Sequence, residues 1–147
     1  MTQREFITFE VGGQLFGLDI MAIREIRAWT PVTKLPRVPH YVAGVVNLRG
    51  TVLPVVDLAA RLGWHETEAT PRHAIIVTQV GGQARGLIVD TVSDIVTIAA
   101  DALQAPPTTS IDGVVPFIEG LAAIDDQMVM VLDLDKLSAD VMVPEAA

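Results

Sequence analysis

Apolar and polar positions alternate with a period of two along most of the chain. Ile7, Phe9 and Val11 interleave with Phe6, Thr8 and Glu10 and run into Gly12-Gly13; an apolar run resumes at Leu15-Phe16-Gly17-Leu18. Two short runs around a glycine pair predict a β-hairpin. The same signal recurs at Ala74–Val80, Gly81-Gly82 and Arg85–Val89. Further short runs rich in valine and isoleucine, at Tyr41–Asn47, Thr51–Val56, Asp94–Ile98 and Met128–Leu132, predict strands. Helix is scarce. Asp19 is placed to cap a short helix lined by Ile20, Ile23 and Ile26, and Asp57 to cap Leu58–Leu62, with Gly63 as its stop. Asp133 or Asp135 would start another short turn through Lys136–Ala139. The proline-rich stretch Pro31–Pro39 is a connection or an edge segment, Ala105–Ser110 a loop, and Val141–Ala147 a frayed tail.

An internal repeat organises these elements. At an offset of 69 residues, Ile7–Ile26 lies over Ile76–Ile95 with eight identities in twenty positions and no gap. The identities include Gly12/Gly81, Gly13/Gly82, Gly17/Gly86, Leu18/Leu87 and Ile26/Ile95. Val56-Asp57-Leu58 is echoed by Leu132-Asp133-Leu134 at an offset of 76. The chain therefore reads as two related halves, about 6–70 and 75–138, each a small barrel of short strands, with strands free to cross between them. One half alone would have a thin core, and pressing two together buries what each would expose. The 147 residues fit one domain built in this way.

Composition narrows the function classes. Hydrophobic residues make up 50% and charged residues 19%, which excludes disorder, yet no apolar run reaches the ~18–20 residues of a membrane span. No signal peptide opens the chain and there is no cysteine, so a cytoplasmic, reducing location is expected. The net charge of −8 disfavours a nucleic-acid binder. The charge is uneven: six bases and two acids lie between Arg24 and Arg61, whereas from Gly86 onward there are eleven acids and only Lys136. Different faces are thus suited to different partners, or are simply solvated.

Little in the chain points to catalysis. His40, His65 and His73 share no metal-ligand spacing. Ser93, Ser110 and Ser138 lie in no nucleophile elbow, and the glycine pairs are hairpin turns rather than phosphate cradles. Asp57, Asp90, Asp94 and Asp133 follow or end strands, where capping and turn chemistry explain them. No enzyme activity, cofactor or metal is expected. What remains is surface. Arg49, in the turn Asn47-Leu48-Arg49-Gly50, is either solvated or an interface anchor, and composition alone does not choose.

The runs Phe6–Arg27, Gly44-Val45-Val46-Asn47-Leu48-Arg49-Gly50 and Leu53-Pro54-Val55-Val56-Asp57-Leu58 together resemble the CheW family of chemotaxis coupling proteins. Gly86–Ile95, Ile118-Glu119-Gly120-Leu121 and Val131-Leu132-Asp133-Leu134 continue the resemblance in order, so that it covers residues 6–138. The Asn-Leu-Arg-Gly motif, at its spacing from Pro-Val-Val-Asp-Leu, is its most specific part. The resemblance implies an all-β fold of two five-stranded, SH3-like barrels with a hydrophobic groove between them and few short helices. It implies a non-catalytic adaptor coupling chemoreceptors to the CheA histidine kinase, cytoplasmic but recruited to the inner face of the membrane through receptor arrays. The receptor's helical tip would lie in the groove; the kinase's regulatory domain, and other CheW-like subunits in rings, would dock barrel to barrel. Partner-binding residues carried over by motif are Arg49, Ile23, Glu25, Ile26, Gly44, Ala74 and Ile95. Apolar Ile23, Ile26 and Ile95 would meet a helix laid in the groove, while Glu25 and Arg49 fix its register at the rim; the isoleucines are equally suited to a core. The rival readings are the CheW-like module of a receptor-coupling protein fused to a response regulator, the regulatory domain of the kinase itself, and a small-barrel nucleic-acid binder.

Overall fold

The computed structural model describes residues 3–64, 67, 70–80, 82–105, 117–124 and 126–138. Among these the chain forms strands β1 (Gln3–Val11), β2 (Gln14–Asp19), β3 (Ile23–Ala28), β4 (Val42–Leu48), β5 (Thr51–Asp57), β6 (Ala74–Val80), β7 (Gln83–Val89), β8 (Thr91–Ala99), β9 (Ile118–Ile124) and β10 (Gln127–Leu132). The short helices α1 (Leu58–Arg61) and α2 (Leu134–Ser138) follow β5 and β10. His65, Gly81, residues 106–110 of the expected loop and the tail from Val141 lie outside the described residues.

The strands form two five-stranded sheets, in the orders β8-β1-β2-β10-β9 and β3-β6-β7-β5-β4. The repeat is carried through both. Adding 69 takes β1, β2 and β3 onto β6, β7 and β8; adding 76 takes β4, β5 and α1 onto β9, β10 and α2. Pairing registers repeat as well: Val55 lies opposite Gly86 in one sheet, and its counterpart Val131 opposite Gly17 in the other, both in parallel pairs. The sheets are not the two sequence halves, however. Each half sends its third strand to the other: β3 pairs with β6, and β8 with β1.

In each sheet the chain beyond one edge strand bridges back to the opposite edge strand. Beyond β3, Thr33 exchanges two backbone hydrogen bonds with Val45 of β4, at 2.9 and 2.8 Å. Beyond β8, Gln104 does the same with Leu121 of β9, at 2.8 and 2.7 Å. Val45 and Leu121 are again counterparts.

Three apolar clusters follow from this layout. Val46, Leu48, Leu53, Val55, Ile75, Val77 and Ile88 fill one sheet. Phe6, Ile98, Ala122, Val129 and Val131 fill the other. The third and largest joins the sheets, with Phe9, Phe16 and Leu18 meeting Val56, Ile76, Leu87 and Val89. Asp57 caps α1, accepting from the Ala60 amide at 3.5 Å, and of the two candidates at α2 it is Asp133 that accepts, from the Asp135 and Lys136 amides at 3.0 and 3.4 Å.

The helix expected through Ile20, Ile23 and Ile26 is a correction. Only Ile20–Ala22 form a single 3₁₀ turn, capped by Asp19, and Ile23–Ala28 is strand β3. The three-residue spacing has another cause. The ladder between β3 and β6 passes from Ile23–Thr78 to Glu25–Val77 and skips Arg24. This β-bulge inserts one residue and brings Ile23 and Ile26 to the same face.

Candidate partner-binding site

The two isoleucines of β3 have counterparts on β8. There the ladder passes from Thr8–Asp94 to Phe9–Val92 and skips Ser93, which lies 69 residues after Arg24. The second bulge places Val92 and Ile95 on one face, as the first does for Ile23 and Ile26. Ile26 stands opposite Ile76, and Ile95 opposite Ile7. Ile76 belongs to the core between the sheets, and Ile7 alternates with Phe6 so as to face the same way. Ile23 and Val92 pack against that core from its margin. Ile26 and Ile95 stay 40% and 53% exposed on the outermost strands. The repeat thus presents two equivalent apolar side chains where the inter-sheet core reaches solvent.

The opposite face of β3 is polar. Glu25 and Arg27, two apart, point to the side of Val77 and Ile75. Glu25 accepts hydrogen bonds from Arg49 Nη2 at 2.6 Å and from Arg27 Nη1 at 3.2 Å. Arg49 reaches it from the β4–β5 turn. Leu48 pairs with Thr51, so Arg49 and Gly50 are the whole loop, with φ of 52° and 84°. Two successive positive φ values mark the tight turn favoured in two-residue hairpins, and Asn47 Oδ1 accepts from the Gly50 amide at 2.9 Å. The Asn-Leu-Arg-Gly motif is therefore a turn that aims one arginine. The Arg49 hydrogen bond is the largest cause holding the Glu25 carboxyl below its ordinary range; desolvation opposes it and Arg27 adds to it. In the second half the positions corresponding to Glu25 and Arg49 are Asp94 and Asp125, two acids. Two acids cannot make such an ion pair, and among the described residues the sheet-to-turn clasp is found in the first half.

The remaining expected residues are placed differently. Gly44 is buried on β4, and a Cβ there would lie 2.0 Å from the Thr33 carbonyl oxygen. Its chemistry is the closure of the sheet. Ala74, opposite Ala28 and Val89, is half-buried against the inter-sheet core. The structure thus joins Glu25 to Arg49, sets Ile23, Ile26 and Ile95 along the margin of the inter-sheet core, and gives Gly44 a place inside the fold.

Against known proteins, the family model of the CheW-like domain matches residues 5–142. The chain belongs to the CheW family. It is 49% identical over 134 residues to the chemotaxis protein CheW of Rhizobium meliloti, covering 91% of this chain and 86% of the relative. The probable chemotaxis protein CheW of Rhizobium etli is 47% identical over 137 residues, covering 93% and 88%. Among solved structures, the scaffolding protein TtCheW from Thermoanaerobacter tengcongensis superposes with a TM-score of 0.83 at 33% identity, covering 93% of this chain and 88% of that one. The all-β, two-sheet architecture is that of a CheW structure.

Sequence reasoning missed Arg27, the second arginine on Glu25, because a helix reading does not put residues two apart on one face. It also missed Val52 and Met128, 62% and 56% exposed at counterpart positions beside the two hairpin turns. Elsewhere, Arg4 ties β1 to β2 and β9 through Asp19 and Glu119, both at 3.0 Å, beside an open hollow of about 440 Å³ also lined by Asp133 and Asp135. Among the described residues no group of histidine, aspartate and glutamate is arranged to hold a metal ion. His73 Nδ1 accepts from the Thr70 amide at 3.0 Å, a local turn contact. No described helix is long and apolar enough to cross a membrane.

Proposed function

We propose that the protein is a non-catalytic chemotaxis adaptor that couples chemoreceptors to the CheA histidine kinase. The receptor's helical tip packs its apolar side on Ile26 and Ile95, with Ile23 beneath, and meets Glu25 and Arg49 across the edge of β3. The kinase's regulatory domain docks barrel to barrel on this protein, which is held at the inner face of the membrane through the receptors. The observation that carries this reading is the repeat-related pair Ile26 and Ile95, apolar side chains left exposed beside the partly buried Ile23 and Val92 at the margin of the inter-sheet core. An apolar stripe of this kind fits an amphipathic helix better than a charged chain, and the net charge of −8 works against a nucleic-acid partner. Glu25 and Arg49 supply direction, since charged groups at a rim fix register more than they add affinity. Co-sedimentation of the protein with a receptor cytoplasmic fragment and CheA tests the proposal. A complex requiring all three components, with receptor-dependent kinase activation, is expected; kinase activity indifferent to the protein would overturn it.

A further inference from the structure

We infer that Arg61 fixes how the two sheets sit against each other, and so positions Ile26 relative to Ile95. Arg61 is the last residue of α1. Its guanidinium carbon lies 4.6 Å from the centroid of the Tyr41 ring and 4.4 Å from that of Phe117. These two rings are counterparts at the offset of 76. Tyr41 precedes β4 in one sheet and Phe117 precedes β9 in the other. Their backbones are held alike: the Tyr41 carbonyl accepts from the Asp57 amide and the Phe117 carbonyl from the Asp133 amide, both at 2.8 Å. Arg61 Nη2 also reaches the Lys136 carbonyl at 3.5 Å, on the far side of the same junction. The position corresponding to Arg61 in the second half is Leu137, and among the described residues Arg61 is the cation over both rings.

The location gives this contact its consequence. The described chain crosses between sheets between β2 and β3 and between β7 and β8. At the second crossing the Asp90 amide donates to the Glu10 carbonyl and its Oδ2 accepts from the Gly12 amide, both at 2.9 Å, so the chain itself fixes that region. Tyr41 and Phe117, one from each sheet, are joined through the Arg61 side chain rather than through the backbone of either crossing. The core between the sheets is apolar, and apolar burial is non-directional, resisting separation more than sliding. A cation between two ring faces is directional, and more so when desolvated; Tyr41 is buried and Phe117 half-buried. Arg61 is thus a positioning residue, and its effect on receptor binding rests on the function proposed above.

The chain has no cysteine, so a Val52→Cys/Met128→Cys double variant takes two spin labels at exposed sites, one on each sheet. Pulsed electron paramagnetic resonance then reads the distance between sheets in the folded protein. Arg61→Ala is expected to broaden the distance distribution, Phe117→Leu to broaden it likewise, and Arg61→Lys to narrow it part of the way back. In unlabelled protein, Arg61→Ala should weaken binding of a receptor cytoplasmic fragment by about tenfold, the scale of one desolvated cation–π contact. If Arg61→Ala does not fold, Phe117→Leu decides. A distribution as narrow and as centred as that of the parent in Arg61→Ala, or in Phe117→Leu where Arg61→Ala does not fold, overturns the inference. A parent protein that binds no receptor fragment would defeat the proposed function, while the distance measurement would still judge Arg61.

Discussion

Arg49 Nη2 stands 2.6 Å from Glu25 Oε2, spanning the gap between the β4–β5 turn and strand β3. The two residues are 24 apart in sequence and join different strands of one sheet. Arg49 itself is 69% exposed, so its outer guanidinium nitrogens remain open to a partner.

Replacing Arg49 with alanine should leave the fold intact and weaken coupling. No core packing is lost, and the melting temperature should move by no more than about 3 °C. The guanidinium offers forked hydrogen bonds to a carboxylate or to helix-end carbonyls, and an arginine anchor in an interface is worth about 2 kcal/mol or more in binding. Lysine should recover only part, because it keeps the charge and loses the fork. Receptor-dependent kinase activity, read beside thermal melting, checks this. Normal activation by a stable Arg49→Ala protein would remove Arg49 from the interface.

The same pair gives a pH dependence of definite sign. Glu25 is held below the ordinary glutamate value of 4.5 in the folded protein, so the unfolded chain takes up its proton first. The stability it contributes is complete above that value and is lost as pH falls through the lower folded value. Urea unfolding of the parent and of Arg49→Ala, followed from pH 7 to pH 3, should show a constant difference that closes below about pH 4.5. Because Arg49 is so exposed, added salt should also shrink the difference at neutral pH. A gap that widened in acid would contradict the assignment.

Ile26→Asp and Ile95→Asp should each abolish most receptor binding while the protein remains folded. Both side chains are partly in water already, so a carboxylate there can stay hydrated. Each removes apolar area that a partner helix would cover, worth about 1.5–3 kcal/mol for a side chain fully buried, or at least tenfold in affinity. Ile76→Asp, across the ladder from Ile26 and fully buried, should instead unfold the protein. Titration calorimetry with a receptor fragment, run beside thermal melts, separates the two effects. Full affinity in both edge-strand variants would refute the groove.

How far these features could be read from the chain depended on the range of the interaction behind each. The repeat was legible because glycines and isoleucines recur at one offset, and the same registers recur in the ladders. β3 was read as helix because a bulge at Arg24 mimics a helical spacing; the same bulge at Ser93 left β8 readable, since Ile95, Val96 and Ile98 carried the strand signal. β9 alternates in burial, yet its inward residues include Gly120 and Ala122, too small to stand out against their neighbours. The exchange of third strands left no local trace, because both halves offer equivalent edges. Glu25 and Arg49 were legible singly through the family motif. Their pairing depends on the curl of the sheet, which no local pattern encodes.

That curl supplies a last prediction. Gly44 and Gly120 are counterparts, each beside the bridge that returns the chain to its sheet's opposite edge strand. They are not equally constrained. A Cβ on Gly44 would lie 2.0 Å from the Thr33 carbonyl oxygen and 2.7 Å from its carbon, with a backbone φ of 151° that side chains rarely adopt. A Cβ on Gly120 would lie 3.1 Å from the Gln104 carbonyl oxygen, a distance that a few tenths of an ångström would relieve. Backbone cannot retreat as a side-chain end can, so Gly44→Ala must break the Thr33–Val45 bridge or distort β4. Its cost should be about 3 kcal/mol or more, while Gly120→Ala should cost about 1 kcal/mol. Urea unfolding of the two variants measures the difference. Because the Arg49 turn ends the strand that carries Gly44, loss of coupling in Gly44→Ala should track loss of folded protein. A Gly44→Ala variant with parental stability and no coupling would instead place Gly44 directly against a partner.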